Sequence, residues 1–181
     1  MHNSYVSYIH HLIILHLKKA QPEIRKAGRA DIPAIIAIIG RTWEPTYGAI
    51  LSPEQLRFME AEVYNPAALE KQMREGQDFF LLLSAGHPAG FASCSPAGAA
   101  TFKLNKLYVD PAYQGKDFGK LLIGQVEQEA RQRGGLSLIL NVNRFNKAKN
   151  FYEKLGYTII REEDIPIGDY LMNDYVLQKA L

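Results

Sequence analysis

Cysteine, long apolar runs and charge of a single sign are all scarce in this sequence, and each scarcity excludes a class of protein. Cys94 is the only cysteine among 181 residues, so neither an intrachain disulfide nor a cysteine-based zinc site is expected, and a reducing, cytoplasmic setting is predicted. The longest apolar stretches, Leu12–Leu15 and Ile32–Gly40, fall short of the roughly 18 residues that a membrane-spanning helix needs. Lys and Arg total 21 against 19 Asp and Glu, a balance too even to predict a nucleic-acid or membrane-surface partner.

What is present is the composition of one globular domain, with 47% hydrophobic and 22% charged residues. Residues 1–20 differ from the rest because they hold His2, His10, His11 and His16, four of the five histidines. They are predicted to form an N-terminal appendage outside the domain of residues 21–181. Apolar residues at helical spacing favour a short helix in this appendage. No carboxylate or cysteine pattern accompanies the histidines, so no metal site is predicted.

Apolar periodicity and turn residues divide the remaining chain into alternating strands and helices. Asp31, Ser52 and Asn65 are of the residue types that cap helix starts, and the acidic stretch Glu162–Asp169 is predicted to connect the last two strands. This order predicts a single α/β domain with a mixed sheet of about seven strands flanked by helices. The predicted strands cover residues 22–27, 78–84, 89–95, 101–109, 136–142, 157–161 and 170–178, and the helices begin at 31, 52, 65, 118 and 147.

The first informative motif is Tyr113–Leu122, YQGKDFGKLL, which follows a predicted strand and opens a predicted helix. A glycine-containing turn at a helix start exposes unpaired backbone N–H groups, and the helix dipole adds positive potential, so phosphate binds there readily. A P-loop is excluded because Leu121 follows Lys120, where that motif needs Ser or Thr. The glycine spacing of a dinucleotide-binding turn is also absent.

A second motif, Asn146–Tyr157, makes the first one specific. It reads NKAKNFYEKLGY and forms a short predicted helix after a buried strand. The two motifs together resemble the signatures of the GNAT superfamily of N-acetyltransferases: Gln114 and Gly119 match the first, and Ala148, Tyr152, Gly156 and Tyr157 match the second. The resemblance extends over residues 22–181 and implies a GNAT-like fold with a mixed, mostly antiparallel sheet.

The resemblance also implies a co-substrate and site residues. Acetyl-CoA would lie with its pantetheine arm along the backbone of Leu107, Tyr108 and Val109, and with its pyrophosphate in the loop that follows. Tyr152 would protonate the departing CoA thiolate as a general acid, although a tyrosine on a helix can also serve only as core packing. Asn146 matches an asparagine near the cofactor. The loop residues implied in binding are Gln114, Gly115, Lys116, Asp117, Phe118, Gly119 and Lys120.

The sequence departs from the family pattern at three places. Asp117 stands where the first motif usually has glycine, and its charge opposes a bound pyrophosphate. The spacing between Asn146 and Ala148 is one residue short, which leaves Asn143 as a substitute for Asn146. The strand 101–109 lacks the glutamate that many members use as general base. The base is therefore a carboxylate from elsewhere, Glu44 or Asp174, or an ordered water, although each carboxylate is more simply interpreted as a solvated surface charge.

The acceptor is expected to be a small-molecule primary amine. Trp43, Glu44 and Tyr47 combine aromatic faces with a carboxylate, which suits a cationic amine, although both rings could equally pack the end of their helix. The stretch 42–56 is similar to bacterial polyamine-type acetyltransferases. The alternatives are a protein or peptide N-terminal acetyltransferase and a non-catalytic acyl-CoA-binding module, and a homodimer is considered. Cys94 is not expected to act as a nucleophile because no histidine lies near it in sequence.

Overall fold

Seven strands form one sheet in the computed structural model, which describes residues 21–181. The predicted appendage, its helix and its boundary at residue 20 lie outside the described residues. The strands are β1 Glu23–Ala27, β2 Asp78–Ser84, β3 His87–Pro96, β4 Thr101–Val109, β5 Ser137–Asn143, β6 Thr158–Ile167 and β7 Tyr170–Ala180. The helices are α1 Ile32–Tyr47, α2 Pro53–Val63, α3 Pro66–Arg74, α4 Phe118–Gln132 and α5 Ala148–Lys154, with 3₁₀ turns at Arg29–Asp31 and Pro111–Tyr113.

The strand order is β1-β2-β3-β4-β5-β7-β6, and every neighbouring pair is antiparallel except β4–β5. The parallel pairing runs only from Thr101–Ser137 to Leu104–Leu140. Beyond this point β4 and β5 no longer pair, while β5 continues beside β7 as far as Asn143. The sheet therefore opens between its two central strands, and this opening positions the site. The prediction of a single α/β domain with a mixed, mostly antiparallel seven-stranded sheet is confirmed.

A bulge in β4 decides which side chains face which layer. Ser93 pairs with Lys106 and Cys94 with Leu104, so Asn105 is an extra residue on β4. Because a bulge shifts the alternation of side chains, Leu104 and Leu107 both face the layer formed by α4 and α5. Tyr108 instead packs with the residues of α1, α2 and α3 on the other face of the sheet.

Helix starts follow the predicted capping residues in two cases of three. The side chains of Ser52 and Asn65 accept hydrogen bonds from the N–H groups of Gln55 and Ala68, as N-caps do. Asp31 occupies the N-cap position of α1, but its side chain forms no capping hydrogen bond. Its carboxylate instead binds the Arg25 guanidinium at 2.6 Å and the backbone N–H of Gly28 at 2.9 Å.

The predicted acidic connection Glu162–Asp169 is wrong for most of its length. Strand β6 continues to Ile167 and pairs with β7, so only Gly168 and Asp169 turn the chain. The reason is tertiary: β7 offers a long partner edge, and Ile165 and Ile167 pack against the α1–α3 layer. Across the described residues, no helix is long and apolar enough to cross a membrane.

Candidate active site

The separation of β4 from β5 opens a cavity of about 200 Å³, which we call the central cavity. Its walls come from both strands, from the last turns of α1 and from the start of α5. The residues that line it are Thr42, Thr46, Tyr47, Leu104–Val109, Gln114, Leu140–Val142, Asn146, Ala148 and Tyr152.

A second cavity of about 460 Å³, the loop cavity, adjoins the central one at the start of α4. Tyr152, Leu107, Val109, Gln114 and Ala148 line both cavities, so Tyr152 stands at their junction. The other residues that line the loop cavity are Tyr113, Gly115, Asp117–Lys120 and Phe151. Of the predicted loop residues, only Lys116 lines neither cavity, and its Nζ lies 5.1 Å from the centre of the Tyr113 ring.

The loop before α4 has the geometry that a pyrophosphate needs. Helix α4 is 15 residues long, so its first N–H groups and its dipole present positive potential to the loop cavity. Gly115 has a φ of +76°, and a Cβ on Gly119 would lie 3.3 Å from the Phe151 ring. Asp117 takes a left-handed conformation with a φ of +57° and forms no side-chain cap. A glycine would suit this position better, because few side chains adopt that conformation without strain.

The free edge of β4 fits the pantetheine arm. From Asn105 to Val109 this edge has no partner strand on the β5 side, so its backbone groups there face the cavities. An extended amide-bearing chain can add to such an edge as a further strand does. The side chains of Leu107 and Val109 line both cavities, while Tyr108 directs its ring to the α1 side. The residues present thus fit a CoA chain, with pantetheine along β4 and phosphates at α4.

Tyr152 is buried on α5, between the rings of Phe151 and Tyr157, with centroid separations of 5.3 and 6.0 Å. Burial raises the pKa of Tyr152, and a charge on Tyr47 would act in the same direction. The phenol therefore keeps its proton at neutral pH, the form that a general acid must have.

The choice between the two asparagines has a geometric answer. Asn146 lines the central cavity, and its Oδ1 accepts a hydrogen bond of 2.9 Å from the N–H of Ala148, which starts α5. Asn143 is buried, accepts a hydrogen bond from Phe145 and lines neither cavity. Asn146 is thus the asparagine near the cavities despite the short spacing.

Of the predicted acceptor residues, the structure brings Tyr47 into the central cavity but not Trp43 or Glu44. Trp43 is buried beneath it, with ring centroids 4.7 Å from Tyr47 and 4.8 Å from Tyr64. Glu44 is exposed. Sequence reasoning missed Tyr64, whose hydroxyl lies 3.0 Å from that of Tyr108, because no local pattern links α2 with β4.

Two charged residues in or near the wall of the central cavity, Lys106 and Asp174, are buried, and no local sequence pattern predicted their burial. Lys106 lines the central cavity, with its Nζ 5.4 Å from the centre of the Tyr64 ring and no ion pair among residues 21–181. Burial lowers the pKa of Lys106 to about 8, and Lys103 acts in the same direction. Asp174, expected at the surface, is only 6% exposed.

Cys94 does not have the surroundings of a reactive thiol. Cys94 is fully buried and lines neither cavity, and burial raises the pKa of its thiol to about 12. A thiol of that kind is not a nucleophile at neutral pH. Within residues 21–181, no group of three or more His, Cys, Asp or Glu side chains is arranged to hold a metal ion.

Comparisons with known proteins agree with this geometry. Residues 49–166 match the family model described as "Acetyltransferase (GNAT) domain". A spermidine N(1)-acetyltransferase of Thermoplasma acidophilum is 29% identical over 158 residues, which cover 83% of this chain and 94% of that protein. A ribosomal protein bS18 alanine N-acetyltransferase of Haemophilus influenzae is 37% identical, but over only 38% of this chain and 46% of its own length.

Among solved structures, the PaiA N-acetyltransferase of Thermoplasma acidophilum, in complex with coenzyme A, superposes with a TM-score of 0.77 and 26% identity. The match covers 89% of this chain and 99% of that one. The fold and this neighbour's complex with coenzyme A support acetyl-CoA as the co-substrate. The family model covers well over half of the chain, and the chain therefore belongs to the GNAT superfamily of N-acetyltransferases.

Proposed function

We propose that this acetyltransferase moves the acetyl group of acetyl-CoA to a primary amine of a small polycation of the polyamine type. The observation that carries the proposal is a pair of carboxylates on β6 and β7, next to a residue that lines the central cavity. Glu163 accepts a hydrogen bond of 3.2 Å from Asn141, which lines the cavity, and Asp174 lies opposite Glu163 on the neighbouring strand. Two carboxylates beside an aromatic wall attract an organic ammonium group.

Basic residues lie on β4 and acidic residues on β6 and β7, and this difference supports one orientation of the acceptor amine. Lys103 and Lys106 lie on β4, whereas Glu163 and Asp174 lie on β6 and β7. A cationic amine is attracted to the β7 side and repelled from the β4 side. The attacking nitrogen would thus approach the thioester from the side opposite to Lys106.

The transfer itself uses groups already described. The free edge of β4 orients the pantetheine arm, and the N-terminus of α4 holds the phosphates through the residues that line the loop cavity there: Gln114, Gly115, Asp117, Phe118, Gly119 and Lys120. Tyr152, at the junction of the cavities, donates its proton as the thiolate departs. Trp43 acts on the acceptor through Tyr47, which it supports.

Contacts between α2 and the β6–β7 hairpin support a small substrate over a peptide. The ring of Phe58 on α2 lies 5.4 Å from the ring of Tyr170 on β7, and Gln55 donates a hydrogen bond of 3.2 Å to the carbonyl of Leu171. These contacts close α2 onto the β6–β7 hairpin. The similarity to the spermidine enzyme over most of both chains supports the same choice, whereas the ribosomal-protein enzyme matches a minority of each.

The test is a CoA-release assay with spermidine, spermine, putrescine, free amino acids, an aminoglycoside and an alanine-terminated peptide. The expected result is a kcat/KM for at least one polyamine more than about tenfold above that for the peptide. Tyr152→Phe serves as the control that the release is enzymatic. A peptide preferred over every polyamine would make the protein an N-terminal acetyltransferase instead.

A further inference from the structure

Asp174 occupies a position that the binding of acetyl-CoA does not use. It lies on β7, opposite Asn143 of β5 and Glu163 of β6. Cross-strand partners share one face of a sheet, and residues two apart on a strand do so as well. Asp174 therefore lies on the same face as Asn141, which lines the central cavity.

The carboxylate of Asp174 is buried, and its hydrogen-bonding capacity is not fully used. The residue is 94% buried, and its Oδ1 has no hydrogen-bond partner among the described residues. A buried, unpaired carboxylate oxygen destabilises a fold, so its presence at a cavity indicates a use outside folding.

The charges around Asp174 come from four elements. Burial raises the pKa of Asp174 to about 6, Lys103 on β4 and Arg144 after β5 oppose that rise, and Glu163 on β6 adds to it. Arg144 is engaged by Glu162 and Asp164. On α1, burial raises the pKa of Tyr47, and the charge of Asp174 adds to this. Because Tyr47 lines the cavity, the carboxylate is close enough to act on groups within it.

No other carboxylate of the described residues is as well suited. Strand β4 carries none, and Glu44 is exposed to solvent. Asp110 is held by Arg41 at 2.5 Å and by the N–H of Ala112 at 3.0 Å. Glu163 is engaged by Asn141 and lies 3.5 Å from Arg161. Among these carboxylates, Asp174 combines deep burial with an oxygen that has no hydrogen-bond partner. It lines neither cavity itself but shares a sheet face with Asn141, which lines the central cavity, so a water would have to bridge it to a bound amine.

We propose that Asp174 is the general base that takes the proton from the ammonium group of the acceptor, through one bridging water. This role rests on the proposed function for its substrate. The ammonium loses a proton to Asp174, and the neutral nitrogen forms a C–N bond with the thioester carbon. The C–S bond breaks, its electron pair stays on sulfur, and sulfur receives the proton of Tyr152. Tyr152 is reprotonated as the second proton leaves the new amide nitrogen, and Asp174 returns its proton to solvent.

The experiment compares the wild-type enzyme with Asp174→Asn and Asp174→Glu, using spermidine at pH 5–9. We expect Asp174→Asn to lower kcat about 10²-fold with an unchanged KM for acetyl-CoA, and to remove the acid limb that the wild type shows near the pKa of Asp174. Asp174→Glu should restore most of kcat and the limb. The matched control Asp169→Asn, at the exposed turn between β6 and β7, should change neither kcat nor the limb.

Stability separates a catalytic from a structural role. The raised pKa means that folding disfavours the charged carboxylate, so Asp174→Asn should unfold at a higher temperature than the wild type above pH 6 and at a similar one below pH 4. Lower activity with an unchanged pH profile, or unchanged activity, overturns the proposal. If spermidine is not acetylated, the polyamine proposal fails, and the same comparison with the acceptor preferred in the panel still decides the role of Asp174.

Discussion

Replacing Lys106 by methionine should make the folded protein more stable, and the structure gives the size of the effect. The Lys106 ammonium is 90% or more enclosed, between the rings of Tyr64 and Phe79 at 5.4 and 5.9 Å, and forms no ion pair within residues 21–181. Methionine keeps most of the aliphatic stem and its contacts with the two rings, and removes only the charge.

The magnitude follows from the pKa. Burial, helped by Lys103, lowers the pKa of Lys106 from 10.5 to about 8, which corresponds to about 3 kcal/mol against the charged form. The attraction of the ammonium to the two rings offsets about 0.5–1 kcal/mol of this cost. Lys106→Met should therefore raise the free energy of unfolding at pH 7 by about 2 kcal/mol. Between pH 8 and 10.5 the unfolded chain binds a proton that the folded chain does not, so wild-type stability rises with pH there. The advantage of Lys106→Met should therefore shrink above pH 8 and vanish near pH 10.5.

Thermal and denaturant unfolding at pH 7 and pH 10 measure both effects. At pH 7 the midpoint should rise by about 4–8 °C for a chain of this size. The control is Lys71→Met on the exposed side of α3, where the lysine is 66% exposed and the change should stay within about 0.5 kcal/mol. A Lys106→Met protein that is less stable at pH 7, or whose gain persists at pH 10.5, would refute the reasoning from an unpaired buried charge.

Three further predictions concern the cofactor side and the N-terminus. Tyr152→Phe should lower kcat by about 10²-fold with little change in the affinity for acetyl-CoA, and an unchanged single-turnover rate would exclude the role of general acid. Asp117→Gly should relieve the strain of the left-handed conformation and strengthen acetyl-CoA binding by about 1 kcal/mol or less, with a larger effect at low salt; weaker binding in calorimetry at both of two salt concentrations would refute the repulsion argument. Asp117→Ala should destabilise the fold by about 1 kcal/mol, as measured by thermal unfolding. A chain that begins at Gln21 should fold and bind acetyl-CoA as the full chain does, and a large drop in its melting temperature would show that residues 1–20 belong to the domain.

Local features of the sequence determined most of the elements and the cofactor half of the site. The bounds of β2 and β4 are those predicted, from an apolar run in β2 and from alternating side chains in β4, and α2 and α3 begin after the predicted caps Ser52 and Asn65. The loop at 114–120 and Tyr152 could be named from two motifs. The helices, strands and loop could be predicted because strand alternation, helix capping and glycine turns depend on residues that are close together in the chain.

The acceptor half was decided by tertiary structure. The extension of β6 through Glu162 needs the edge of β7, and the bulge at Asn105 needs the register of β3. Lys106 and Asp174 look like ordinary surface charges in the sequence, since no neighbouring residue predicts that they are buried. Their burial results from the packing of α1 and α2 over strands β4 and β7, segments about 50 to 140 residues apart in the chain. Such long-range packing removes water from a charge without leaving a local pattern, and that is why the sequence could list Asp174 among the candidate carboxylates but could not predict its burial.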